Sequence, residues 1–271
     1  MKIAFIGCGN MGGAMISAIV AQGAVPAEDV YIYDKDEGKA AALRGTLGVQ
    51  VCADEKEAAS KAEIVFIAVK PAVVDSVLQK IAYVLQDRIT VSVAAGVTVR
   101  QFLERLGDDV KLVRSIPNLP AFVGEGLSGL FFYNFTHAAD MEKKDAVTAL
   151  FASFGKTVTV EHERMIDEMI AVTSSSPAYF CMMIDAMADG AVKAGFTRKE
   201  ALMMAEQAML GTAKYLLEKE KHPGVLKDEV CSPAGTTIEA VAALEREGFR
   251  NSIIKAMEAC AEKAVRKEGY V

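Results

Sequence analysis

Three glycines, Gly7, Gly9 and Gly12, stand in the spacing G-x-G-x-x-G directly after the apolar run Ile3-Ala4-Phe5-Ile6 and at the opening of a helix-like segment. A strand, a glycine turn and a helix in that order suit a dinucleotide. The first glycine permits a tight turn, the second lets a pyrophosphate approach the backbone, and the third lets the helix pack on the strand. The helix start then offers free N–H groups, here those of Asn10 and Met11, together with the positive end of its dipole. A second β-rich run, Val30-Tyr31-Ile32-Tyr33, ends in Asp34, at the spacing where an acid accepts from the adenosine ribose of NAD. Asp34 would repel the 2′-phosphate of NADPH, and Lys35 beside it would offset that repulsion. Ala68, Val69, Lys70 and Pro71 close the run that begins at Ile64, beside the place of a nicotinamide ring. Backbone contact is expected there, with the Lys70 side chain solvated. Cys8, inside the turn, reads as inert packing.

A second constellation is Ser232-Pro233-Ala234-Gly235-Thr236-Thr237. Ser232, Gly235, Thr236 and Thr237 lie where a turn feeds a helix whose apolar stripe is Ile238, Val241 and Ala242. Hydroxyls and N–H groups at such a start form either an anion site or an ordinary cap, and the residues alone leave both open. Pro117-Asn118 reads equally as a pocket wall or a rigid turn. His222 reads as a structural residue near a helix start, and Thr98 as a helix cap on the far side of the fold. Asp185 and Asp189 are expected to face solvent or pair with Lys193.

The elements that must position these groups fall into two kinds. Short β-rich runs at 3–6, 30–33, 64–69, 89–93 and 110–113 alternate with helix-like segments such as 11–22 and 72–85, which implies a parallel sheet covered by helices on both faces. Beyond about residue 160 the pattern is helical throughout. The segment 177–194 is apolar almost all round, and its neighbour at 198–218 is rich in methionine, so both are expected to be buried by dimerisation. The expected architecture is α/β: a Rossmann-like doubly wound parallel sheet over 1–160, binding NAD(P), then an all-α dimerisation and substrate domain over 161–271.

Composition narrows the class. Hydrophobic residues are 52% and charged residues 24% of 271, with a net charge of −6, which gives no electrostatic reason to expect a nucleic-acid partner. Five cysteines without a CxxC pair and only three histidines argue against a disulfide framework or a metal site and for a reducing compartment. With no apolar stretch of membrane-spanning length, a cytoplasmic protein is expected.

Longer motifs resemble a known family. FIGCGNMGGAM, AVKP, RSIPNLPAFVGEG, SSSPAYFCMMIDAMADGAVKAG and HPGVLKDEVCSPAGTTIEAVAALEREGFR follow one another as they do in pyrroline-5-carboxylate reductases, and SPAGTTI with its preceding HPxxLKDxV is the most specific part. The resemblance implies NAD(P)H-dependent hydride transfer to the cyclic imine 1-pyrroline-5-carboxylate, giving L-proline. It also implies an intertwined homodimer or higher homo-oligomer, with the substrate where the cofactor domain meets the helical bundle. The substrate carboxylate and ring nitrogen would be held by the loop from Ser232 to Thr237, with Glu220 at a position able to face that nitrogen and Thr237 donating to it as it gains its proton. Glu55 stands where the family usually has an asparagine near the cofactor ribose. Asp34 and Glu55 would then place two carboxylates at the ribose with only Lys35 opposing them, a pattern that favours NADH.

Two departures stand out besides Glu55. The family's S-G-S-G-P is Thr173-Ser174-Ser175-Ser176-Pro177, which implies a stiffer turn, and its G-G-T-T is Ala234-Gly235-Thr236-Thr237. The other readings are a related imine or β-hydroxyacid reductase, and a regulatory protein that binds NAD(P) without turnover. The intact SPAGTTI segment speaks against the second.

Overall fold

The computed structural model describes residues 1–265. The chain begins with β1 (Ile3–Ile6), α1 (Asn10–Ala21), β2 (Val30–Tyr33), α2 (Glu37–Leu47), β3 (Gln50–Val51), α3 (Glu55–Ser60), β4 (Ile64–Ile67), α4 (Pro71–Leu85), β5 (Ile89–Ser92), α5 (Val99–Leu106) and β6 (Lys111–Ile116). It continues with β7 (Gly126–Tyr133), α6 (Asp140–Ala152), β8 (Gly155–Thr159) and α7 (Arg164–Met169). Among the described residues the eight strands form one sheet in the order β3-β2-β1-β4-β5-β6-β7-β8. The order reverses between β1 and β4, which opens a crevice at the carboxyl ends of those strands.

Strands buried on both faces need apolar side chains at every position, and β1 and β4 have them. Phe5 and Phe66, paired in register, stack at 4.3 Å in a core with Met15, Ile16, Ile19 and Phe151. Ala4, Ile6, Val65 and Ile67 point the other way, into a core with Leu78, Ile81 and Phe102.

The sheet is parallel, as expected, at every pairing but one, where β7 runs antiparallel to β6. The connection between them is a short 3-10 turn, Leu119–Val123, and so short a link can reverse the chain but cannot carry a crossover. Asn118 fastens this reversal: its amide accepts from Leu127 N–H and donates to the Thr173 carbonyl, both at 2.9 Å. Of its two readings, the rigid turn is the one with contacts behind it.

The chain divides into two compact units, Met1–Ser174 with residues 260–265, and Ser175–Ala259. The division falls after Ser174 rather than at 160/161. The reason is that α7 packs on β6 and β7 and sends Glu163 and Asp167 to a buried Arg114. A π-helical stretch, Ile170–Ser174, closes the first unit. Residues 266–271 of the expected second domain lie outside the described residues.

The second unit holds α8 (Ser176–Lys193), α9 (Arg198–Lys219), α10 (Pro223–Val230), α11 (Thr236–Arg246) and most of α12 (Phe249–Val265). Within the single chain, Met182 is 74% and Leu217 62% exposed, and Phe180, Met203 and Leu210 are also exposed. The chain alone therefore does not cover α8 and α9. Asp189 pairs with Arg198 at 2.6 Å, with Asp185 4.0 Å from the same guanidinium. Both acids face solvent, as expected, at 76% and 65% side-chain exposure, and the cation they meet is Arg198, in the first turn of α9.

Candidate active site

The first cradle is built by β1, α1 and the ends of β2 and β4. Gly7 has φ +106°, and a Cβ there would lie 2.6 Å from the Ala68 carbonyl oxygen, so only glycine lets the turn lie against the end of β4. A Cβ on Gly12 would collide with the carbonyl of Gly7, whereas one on Gly9 would meet nothing within 4 Å. The space beside Gly9 is thus open to a ligand, and a side chain would fill it. No side chain caps α1 and no acidic residue stands in its first turn. The N–H groups of Asn10, Met11 and Gly12 are therefore left for an anion.

Asp34 reaches this turn directly. Its Oδ2 accepts from Cys8 N–H at 2.6 Å and its Oδ1 from Asp36 N–H at 2.9 Å. Each carboxylate oxygen has a second lone pair, so the acid can still accept from a ribose hydroxyl. Burial, reinforced by the charge of Asp34, pushes the Cys8 thiol up to about 12, which makes it the inert packing group it was expected to be. Val69 is half-buried and Lys70 exposed; Lys70 occupies the N-cap position of α4 without a side-chain bond, and Pro71 opens the helix at its first position. These residues fit a nicotinamide dinucleotide: a phosphate cradle, a diol acceptor and a small-residue strand end stand on one edge of the sheet.

Glu55 corrects an expectation. It is the first residue of α3, 8% exposed, and its Oε1 lies 2.7 Å from Lys80 Nζ of α4. Lys80 therefore opposes the Glu55 charge as well, so Lys35 is not the only cation set against the two carboxylates. Thr98 also differs from its reading. It does cap α5, through a capping box with Gln101. However, it follows β5, so it lies on the carboxyl edge of the sheet and not on the far side.

The second cradle lies in the helical unit. Ser232 to Gly235 form a β-turn closed by Gly235 N–H on the Ser232 carbonyl at 3.0 Å. Pro233 and Ala234 are its central residues, and Ala234 is left-handed at φ +56°. A Cβ on Gly235 would strike Ser232 Oγ, so the hydroxyl lies against the glycine. Gly235 is the N-cap of α11 and has no side-chain capping bond, which leaves Thr236 and Thr237 in the first turn. Their hydroxyls are not consumed as caps. Thr237 lines an open cavity of about 510 Å³ with Thr212, Tyr215, Leu226 and Val230. Glu220, exposed, ends α9 in a left-handed conformation at φ +47°. His222 is structural, as expected: it caps α10 by accepting from Gly224 N–H at 3.1 Å.

The two cradles have counterparts among known proteins. Residues 163–267 match the family model for pyrroline-5-carboxylate reductase dimerisation, and residues 2–96 that for NADP oxidoreductase, coenzyme F420-dependent. A pyrroline-5-carboxylate reductase of Escherichia coli is 44% identical over 266 residues, 97% of either chain. The chain belongs to the pyrroline-5-carboxylate reductase family. The solved pyrroline-5-carboxylate reductase of Coxiella burnetii superposes with a TM-score of 0.92 at 29% identity, covering 98% of this chain and 99% of that one. The Plasmodium falciparum pyrroline carboxylate reductase, solved with NADP bound, gives 0.86 at 26% identity, covering 98% and 97%.

Set beside the family's motifs, this reductase-family chain puts alanine at a left-handed position where glycine is usual. Its three serines at 174–176 run from the π-helical stretch straight into α8, with Thr173 Oγ1 bonded back to the Met169 carbonyl at 3.0 Å. The expected turn is here a junction between two helical stretches, with Ser175 at the N-cap of α8.

Sequence reasoning missed the buried ion cluster. Arg114 sits on β6 with its Nη1 2.8 Å from Glu163 and its Nη2 2.7 Å from Asp167. The signal was an arginine inside an apolar strand, Lys111-Leu112-Val113-Arg114-Ser115-Ile116, with two acids one helical turn apart further on. A buried cation requires such partners.

Proposed function

We propose that this chain reduces 1-pyrroline-5-carboxylate to L-proline, with NADH preferred over NADPH. The observation that carries the reading is the start of α11: a turn and a helix N-terminus whose threonine hydroxyls are free of capping duty, in a chain that matches reductases of this name along nearly all of its length.

The first unit holds the dinucleotide through Gly7, Gly9, Asn10, Met11 and Gly12 at the pyrophosphate, Asp34 at the ribose, and Ala68, Val69, Lys70 and Pro71 at the nicotinamide end. When bound, the reduced nicotinamide supplies hydride to the C=N carbon. In the second unit Ser232, Gly235 and Thr236 bind the carboxylate at the amino end of α11. Thr237 Oγ1 donates to the ring nitrogen as that nitrogen becomes an amine, and Glu220 faces it from the end of α9. A cyclic imine is readily protonated near neutral pH, so orientation and one donor serve where a strong acid is not needed.

The exposed apolar faces of α8 and α9 are covered by a second copy of the chain, as an intertwined homodimer or a larger homo-oligomer. The free thiols of Cys8, Cys52, Cys181 and Cys231 suit a reducing, cytoplasmic location, and no described helix is long and apolar enough to cross a membrane. Oxidation of NADH and of NADPH by purified protein, followed with and without 1-pyrroline-5-carboxylate, tests the reading. Oxidation that does not depend on the imine, or no oxidation at all, would overturn it.

A further inference from the structure

The loop that follows β5 is anchored from a distance. Residues 94–97 leave the carboxyl end of β5 and enter α5 at Val99. Glu163 Oε1 accepts the Val99 N–H at 2.8 Å, from 64 residues away, and the same oxygen accepts from Arg114 Nη1 at 2.8 Å. Arg114 in turn holds both oxygens of Asp167, at 2.7 and 2.8 Å. All three ionic side chains are at most 2% exposed.

A cluster of one cation and two anions is an expensive way to fill a core, since well-packed apolar groups usually serve stability as well or better. What the cluster adds is geometry. α5 has no acid in its first turn, and Glu163 supplies one, set against the free N–H groups and dipole of that helix start. Arg114 is paired in register with Ser92, the last residue of β5. The guanidinium therefore ties the level of the strand end to the level of the helix start, and the loop between them is held at both ends.

That loop is on the nicotinamide half of the crevice. The pyrophosphate cradle follows β1, and the nicotinamide end lies across the switch point, on the side of β4 and β5. Ala94, Ala95 and Gly96 offer no side chain larger than a methyl, and a planar ring needs such a wall to be fixed in position. Resting on the proposed cofactor reading, we infer that Glu163, Arg114 and Asp167 are positioning residues: they set the nicotinamide-side wall through the Val99 N–H and do not touch the cofactor.

The test compares NADH with ADP-ribose, which lacks only the nicotinamide ring, by calorimetric titration of the full chain. Glu163→Ala is expected to weaken NADH about tenfold or more and to leave ADP-ribose within twofold. Glu163→Gln, whose amide oxygen still accepts from Val99 N–H, should recover most of the NADH affinity. If Glu163→Ala does not fold, Val99→Pro decides. Proline is at home in the first position of a helix; it removes the N–H that Glu163 binds and keeps an apolar side chain of similar size at this buried position. Val99→Pro should give the same selective loss, together with a fall in kcat. Unchanged NADH affinity in a folded variant, or equal loss of both ligands, would overturn the inference. Binding of neither ligand by the unaltered chain would instead overturn the cofactor reading beneath it.

Discussion

Asp34 Oδ2 accepts the backbone N–H of Cys8 at 2.6 Å, so the acid that ends β2 also closes the glycine turn that follows β1. Specificity and loop geometry are joined in one side chain. Asp34→Asn keeps an acceptor for Cys8 and removes the charge that repels a 2′-phosphate. The ratio of kcat/KM for NADPH to that for NADH should rise about tenfold, the equivalent of ~1.4 kcal/mol. Glu55→Asn should change the ratio little, because Lys80 already offsets Glu55. An unaltered enzyme that favours NADPH tenfold would refute the argument.

Thr237→Val deletes a hydroxyl and keeps the β-branched shape. If that hydroxyl donates to the reacting nitrogen, kcat should fall by roughly 2–4 kcal/mol in barrier terms while KM moves less. Thr236→Val should act mainly on KM, because a carboxylate is present in both ground and transition states. A control threonine must lie outside both cradles and off the core, which excludes the buried cap Thr98. Thr46, exposed and bonded only within its own helix, serves instead. Steady-state kinetics with normal values for Thr237→Val would reduce the segment to a plain helix start.

Ala234 holds a left-handed conformation at φ +56°, which costs a residue with a Cβ about 1–2 kcal/mol. Ala234→Gly should relieve part of that strain and stabilise the protein by about 1 kcal/mol, less the added entropy of the unfolded glycine. Denaturant titration reads the change. A less stable variant would mean that the turn relaxes differently from the geometry described.

Asp140 opens α6 and accepts from Lys111 Nζ and from His137 N–H, which lower its pKa from 3.8 to about 2. A depressed carboxylate contributes stability that is present above 3.8 and is lost as the pH falls through about 2. Thermal melts of the unaltered protein and of Asp140→Asn should therefore differ most above pH 4 and converge near pH 2. Parallel melting curves across that window would show that the ion pair adds nothing.

Met182 is 74% exposed on α8, while Met183 beside it is half-buried within its own chain. Met182→Lys should therefore disrupt assembly with less damage to the fold of the single chain than Met183→Lys. Sedimentation should show monomer or aggregate in place of the dimer. A dimer of unchanged affinity would place the interface elsewhere.

The residues Gly7 to Gly12, Asp34 and Ser232 to Thr237 were legible in the sequence because each is a local device. A turn, a cap or a strand end is specified by neighbours a few positions away, and its chemistry follows from residue type and spacing. The alternation of β-rich and helical segments was legible for the same reason. Several pairings were not. Glu55 with Lys80, Asp189 with Arg198, and Arg114 with Glu163 and Asp167 are meetings of charges whose separation in the chain sets no preference among partners. The antiparallel pairing of β7 with β6 follows from a connection too short for a crossover, and the edge strands β3 and β8, which lack a distinct apolar run, are stabilised by ladders to strands elsewhere. Those features were decided by the tertiary structure alone, since burying a charge or a strand edge constrains the chain only once the surrounding core has excluded water.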